Sequence, residues 1–278
     1  MYLKPKTLHE AVSVLAASGG QILAGGTDFY PALGERLPHG DVVDITSLAE
    51  IRGISADKDW IRIGGLTTWT EVIRAKLPRS FDALKAAARE IGSVQIQNRG
   101  TVAGNLCNAS PAADGVPPLL ALDAEVELTS AASTHRLLLS EFLAGNRKTM
   151  RRPDEILAAV LVPRRMDDAV STFLKLGARR YLVISISMVA AIVQTDTKGH
   201  IADARVAVGS CSAVAQRLRD LEADLRGHPL KVGIGSAVKP VHISVLSPID
   251  DVRATADYRR DASLTLIRRA LENCARSL

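Results

Sequence analysis

Apolar residues recur along this 278-residue chain with two periods, one near 3.6 and one of 2, and the alternation between them marks out its elements. Tyr2-Leu3 predicts a short strand. Thr7 and Glu10 form a capping box, Leu8, Ala11, Val12 and Leu15 follow at helical spacing, and Gly19-Gly20 ends that helix. Ile22-Leu23-Ala24 predicts a buried strand, residues 28–36 a short helix, and Val42 to Ile45 another strand. Residues 54–63 read as a hairpin through Asp57-Lys58-Asp59 that opens a second unit, with Gly64-Gly65 as a close-approach turn. Thr68 to Glu71 repeats the capping box before a helix to Lys76, and residues 81–91 carry Leu84, Ala87, Ala88 and Ile91 on one helical face.

In the second half, Pro117 to Leu122 reads as a helix with proline in its first turn. Residues 125–129 and 155–162 read as strands, and residues 163–168 as a linker. Beyond it, 171–176 and 184–193 predict strands, although 185–193 also fits a buried helix, since a short unbroken apolar run has no period to decide it. Residues 205–208 predict a strand, 213–225 an amphipathic helix ending at Gly227, and 256–277 a closing helix with Leu264, Ile267 and Leu271 on one face.

Two stretches break this pattern. Gln97 to Asp114, QNRGTVAGNLCNASPAAD, places glycines, short polar side chains and one carboxylate where a core would want apolar residues. Gly100 and Gly104 have access to φ > 0 and let N–H groups converge on an anion, while Thr101, Asn105, Asn108 and Ser110 add uncharged donors. Ala24 to Asp28, AGGTD, is a second glycine stretch directly after an apolar strand and ahead of a helix whose positive dipole end would face a phosphate. A long loop built from ordinary turn residues accounts for either stretch alone. Two in one chain read as a pair of cradles for two phosphates.

Composition narrows the function classes. Hydrophobic residues at 47% and charged residues at 23% are those of a folded globular protein. The net charge of +5 is spread along the chain in short pairs such as Arg151-Arg152, Arg179-Arg180 and Arg259-Arg260, and aromatic residues are only 4%, which argues against nucleic acid. Cys107, Cys211 and Cys274 stand far apart, so no disulfide framework or metal cluster is encoded locally and a reducing compartment is expected. The amino-terminus lacks a signal-peptide core, and no run approaches the ~18 apolar residues of a membrane span, so a cytoplasmic protein is expected. The six histidines are scattered without H-E-x-x-H. Gly145 to Thr149 lacks the upstream glycine and the Gly-Lys pair of a nucleoside triphosphatase loop.

AGGTD and NRGTVAGNLCNASPAAD, in this order and separation, resemble the flavin-binding medium subunits of the molybdenum hydroxylases, relatives of the flavin domain of xanthine dehydrogenase. The resemblance spans nearly the whole chain and includes Ser247 to Arg260, read as structural, with Arg253 and Arg259 near carboxylates they can pair with. It implies an α+β chain: a two-subdomain FAD-binding fold of the PCMH or vanillyl-alcohol-oxidase type at residues 1–53 and 54–165, then a smaller α+β domain at 170–278. It also implies noncovalent FAD held by Ile22, Leu23, Ala24, Gly25, Gly26, Thr27, Asp28 and Phe29, and by Thr101, Val102, Ala103, Gly104 and Asn105. Ala103 departs from the glycine common in the family and requires φ < 0. Asp114 is similar to an acidic contact to FAD and equally suits an N-cap of the following helix. Leu157 matches an apolar position against the cofactor or a plain core residue, and Lys175 a basic position beside it or a solvated strand end. The implied role is electron transfer through FAD, between a molybdenum-cofactor large subunit with a [2Fe-2S] small subunit and a terminal acceptor. The rivals are a self-contained flavin oxidase and a cofactor-free binding module.

Overall fold

A computed structural model describes residues 1–278. The chain opens with β1 (Tyr2–Leu3), α1 (Leu8–Ser18), β2 (Gln21–Leu23), α2 (Phe29–Leu33) and β3 (Val42–Asp44). The three strands form a parallel sheet in the order β1-β3-β2. Alpha-helix α1 covers it through Ala11, Val12 and Leu15, which pack with Val43, Ile45 and Leu48 in a small core. Thr7 caps α1 by accepting from the Glu10 N–H, but Glu10 reaches the Lys6 N–H instead of closing the box. The helix expected at 28–36 is shorter than the pattern indicates, because Asp28 makes no capping bond and Gly34 takes a left-handed φ of 58°.

The second unit holds β4 (Ile54–Ala56), β5 (Trp60–Gly64), α3 (Trp69–Arg74), α4 (Asp82–Glu90), α5 (Val94–Arg99), α6 (Val102–Asn108) and α7 (Val116–Ala121). It continues with β6 (Glu125–Thr129), β7 (Thr134–Leu138), α8 (Leu139–Phe142), β8 (Leu143–Gly145), β9 (Lys148–Thr149) and β10 (Ile156–Pro163). Its antiparallel sheet runs β4-β5-β10-β6-β7, with the 54–63 hairpin at one edge. The Thr68/Glu71 capping box of α3 forms in full. Gly65 is a close approach: a Cβ there would collide with the Leu157 carbonyl oxygen, beside a register shift between Leu157 and Ala159.

The last unit has β11 (Val170–Leu176), β12 (Ser187–Thr195), β13 (Ile201–Gly209), β14 (Gln216–Arg217), α9 (Arg219–Leu225) and α10 (Ala256–Arg276), with the strands antiparallel in that order. The ambiguous segment is the strand β12. Met188, Ala190 and Ile192 face the core shared with the second unit, while Val189, Ala191 and Val193 face the core under α10. Both faces are buried, which erases the polar alternation that marks a half-exposed strand. The helix expected over 213–225 is a correction: residues 216–217 pair with Ala207 and Val208, and only 219–225 is helical. The Arg217 guanidinium is buried against Glu222 at 2.5 Å and the distant Asp123 at 2.7 Å, and this tertiary contact to Asp123 wins over the local apolar spacing.

Candidate functional site

Gln97 to Asp114 is not a long loop. Ser93 accepts from the Ile96 N–H to start α5, Thr101 accepts from the Gly104 N–H at 3.0 Å to start α6, and Ala109 ends α6 in a left-handed conformation. Gly100 is extended at φ −61° and Gly104 is helical, so the expected φ > 0 occurs at neither. Their smallness serves packing instead. A Cβ on Gly104 would stand 2.8 Å from the capping Thr101 Oγ1, and one on Gly100 would stand 3.0 Å from the Ile96 carbonyl oxygen. Ala103 lies within α6 and so meets the φ < 0 it requires.

The two glycine stretches form one wall. A Cβ on Gly25 would collide with the Arg99 carbonyl oxygen, so only glycine lets the first stretch lie against the second. Gly26 is the position that needs the left-handed region, at φ 77°. The N–H groups of Gly25, Gly26, Thr27 and Asp28 take no acceptor from the chain. Four successive unpaired donors of this kind form a concavity suited to an anion.

Cavities of about 490 and 630 Å³ lie beside this wall and share Ala24, Gly25, Gly26 and Thr101. The smaller is polar, with Tyr2, Lys4, Asp44 and Arg52 in its lining. Burial would raise the Asp44 carboxyl, but Thr46, the Tyr2 hydroxyl and Lys4 hold it below its ordinary value. The larger is more apolar, with Ile22, Phe29, Ile45, Trp69, Ile91, Ile96 and Leu157 beside Thr27, Asp28, Ala103, Gly104 and Asn105. The buried Asn105 Oδ1 has no partner in the chain. Cys107 also lines it, and burial pushes its thiol up to about 11, against the pull of Arg151, so it is a neutral thiol at neutral pH.

Most of the residues singled out in the sequence therefore converge on the cavities, Leu23 on the smaller one only. Three do not. Val102 is buried with its N–H donating to Thr67, and Asp114 and Lys175 pair with each other at 2.6 Å. Asp114 also accepts from Ser185 at 2.6 Å, and Lys175 donates to the Glu90 carbonyl. Burial raises the Asp114 carboxyl above its ordinary value although Lys175 and Ser185 both favour its charged form. Neither residue has its expected structural alternative: Asp114 does not cap α7, and Lys175 is not a solvated strand end. Asn108, named in the central stretch, also lines the larger cavity, whereas sequence reading missed Ile96, which adjoins that stretch, and Trp69 and Arg151, which no local spacing joins to the glycine stretches.

The lining fits a dinucleotide: unpaired main-chain N–H groups to donate to a diphosphate, an orphan amide oxygen to accept from a hydroxyl, and apolar walls for ring systems. The model of the FAD binding domain in molybdopterin dehydrogenase matches residues 1–165, and that of the CO dehydrogenase flavoprotein C-terminal domain matches residues 172–274. The chain is similar to the nicotinate dehydrogenase FAD-subunit of Eubacterium barkeri, at 32% identity over 94% of this chain and 91% of that one. It is also similar to a putative xanthine dehydrogenase FAD-binding subunit of Escherichia coli K12, at 31% identity over 97% and 94%. The carbon monoxide dehydrogenase structure from Oligotropha carboxidovorans has the same fold, with a TM-score of 0.92 at 24% identity over 100% of this chain and 98% of that one. The α+β architecture is thus an FAD-binding domain followed by a flavoprotein carboxy-terminal domain, and the chain belongs to the FAD-binding medium subunits of the molybdenum hydroxylase family, as an oxidoreductase component whose cofactor is FAD.

Proposed function

We propose that this chain is the electron-transfer subunit of a multi-subunit molybdenum hydroxylase, working between a partner's [2Fe-2S] clusters and a terminal acceptor, with substrate oxidised on a molybdenum-cofactor large subunit. The observation that carries the reading is the run of four unpaired N–H groups at Gly25 to Asp28 beside two cavities. Residues 22–29, Thr101, Ala103, Gly104, Asn105 and Leu157 would hold FAD. Val102 supports the turn of α6 from the core. Asp114 and Lys175 act as positioning residues through their shared ion pair, which ties the start of α7 to β11. Bound FAD supplies a redox centre able to exchange electrons singly or in pairs. The chain's own contribution is to orient the cofactor, neutralise its diphosphate with main-chain donors and exclude water along the apolar walls. The chain gathers no group of three His, Cys, Asp or Glu placed to hold a metal ion, so in this reading the metal centres belong to partner chains. The reading also keeps the division into 1–53, 54–165 and 170–278, each with one principal sheet, and a cytoplasmic location. No helix is long and apolar enough to cross a membrane.

Purification of the tagged chain from its native source, with identification of co-purifying polypeptides and metal analysis, tests the assignment. The expected result is a larger chain with molybdenum and a smaller one with iron and sulfide. The FAD-loaded chain alone is expected to show no turnover of purines or aldehydes; sustained oxidation by the isolated chain, metals excluded, would overturn the proposal in favour of a self-contained oxidase.

A further inference from the structure

Arg151 is the only cationic side chain lining the larger cavity, and it has no carboxylate partner. Its Nη1 is pinned by the main-chain carbonyls of Arg152 at 2.9 Å, Pro153 at 3.4 Å and Glu155 at 2.7 Å, while Nε and Nη2 take no acceptor from the chain. Its sequence neighbour behaves in the ordinary way: Arg152 reaches Glu155 at 2.7 Å and Asp154 at 3.8 Å. Half-burying a guanidinium costs solvation that neutral carbonyls recover only in part, so an arginine held this way has an open requirement for an anion. The unpaired N–H groups of Gly25 to Asp28 line the same cavity. The free edge of a guanidinium offers two parallel N–H donors, the geometry that matches phosphate oxygens.

We infer that Arg151 is a diphosphate-binding residue, closing the anion site opposite the main-chain donors of the first glycine stretch. The inference rests on the reading that this cavity receives FAD. Nothing in the sequence distinguishes Arg151 from Arg152; the difference arises because the turn ahead of β10 brings Glu155 onto Arg152 and leaves Arg151 with carbonyls alone.

The test titrates FAD, ADP and phosphate-free riboflavin into the apoprotein of the full chain at low salt. Arg151→Gln is expected to weaken FAD and ADP by about ten- to a hundredfold, the range for a hydrogen bond to a charged group, and to leave riboflavin unchanged. Lys148→Gln, an exposed cation on β9, is expected to bind all three within about threefold of wild type. Arg151→Lys keeps the charge and loses the fork, and is expected to recover part of the FAD affinity. Salt gives a readout that needs no variant: wild-type affinity for FAD and ADP should fall with ionic strength and that for riboflavin should not. FAD affinity of Arg151→Gln within about threefold of wild type, an equal loss for riboflavin, or flat salt dependence for FAD and ADP would overturn the inference. A wild-type chain that binds ADP with this dependence on Arg151 but does not bind FAD would keep the diphosphate site and overturn the cofactor reading instead.

Discussion

At the scale of single residues, Gly26 and Asp114 show how one letter can carry a role that its spacing does not display. Gly26 sits at φ 77°, and a Cβ there would also stand 2.9 Å from the Tyr30 ring. Gly26→Ala is therefore expected to lose about 1–2 kcal/mol in a denaturant melt of the apoprotein, the cost of a left-handed L-residue, and to weaken FAD binding as the N–H groups turn away. Asp114→Ala leaves the Lys175 ammonium buried without its carboxylate. The expected loss is about 3–5 kcal/mol in the same melt, with FAD affinity of the folded variant little changed. Asp114→Asn discriminates further, because it would be nearly neutral for a helix cap but removes half of an ion pair here. A variant of normal stability that has lost FAD affinity would instead make Asp114 a direct cofactor contact. The chemistry of both residues was legible in the sequence as a glycine in a cradle and a carboxylate after it. Their partners were not, since Lys175 lies 61 positions from Asp114.

At the scale of elements, Thr101 holds the centre of the site by capping α6, although it carries no glutamate three residues on and so escapes the capping-box template. Thr101→Ala is expected to cost about 0.5–2 kcal/mol of apoprotein stability, and Thr101→Ser to restore most of it, both measured by denaturant melts. The element pattern was readable where one face of an element is wet: α1, α3, α4 and the β4-β5 hairpin stand at or within a few residues of their expected places. It failed in two ways. The glycines of the central stretch suggest backbone free to bend, yet most of it is two short helices in succession, joined at Gly100-Thr101, with glycines there for closeness and not for φ. The sequence pattern reads 213–225 as one amphipathic helix, yet Arg217 pairs in β14, where it bonds Asp123 from a distant segment as well as Glu222 of the same one.

At the scale of the whole molecule, the carboxy-terminal segment fastens the last unit. Arg259 at the start of α10 bonds Asp251 at 2.7 Å and the carbonyls of Ile186 and Ser210, while Arg253 pairs with the same carboxylate at 3.1 Å, in line with the pairing read from the sequence. Burial alone would raise the Asp251 carboxyl, but the Arg253 N–H and the Arg259 guanidinium hold it at about 2, below its ordinary 3.8. A carboxyl depressed on folding stabilises the fold fully above its unfolded value and loses that contribution as pH falls through the folded one. Stability of the wild type relative to Asp251→Asn should therefore be constant above about pH 5 and shrink between about pH 4 and pH 2, as read by denaturant melts at each pH. The sequence by itself determined the two glycine stretches, their order, the amphipathic helices and the family, because these are local patterns or ordered motifs. Tertiary structure alone decided that Gly25 rests on Arg99, that Asp114 meets Lys175, that both faces of β12 are buried, and that Arg151 reaches the cavity without a carboxylate. The physical reason is the same in each case: burial and ion pairing are set by residues far apart in the chain, and no periodicity encodes which distant segment will arrive.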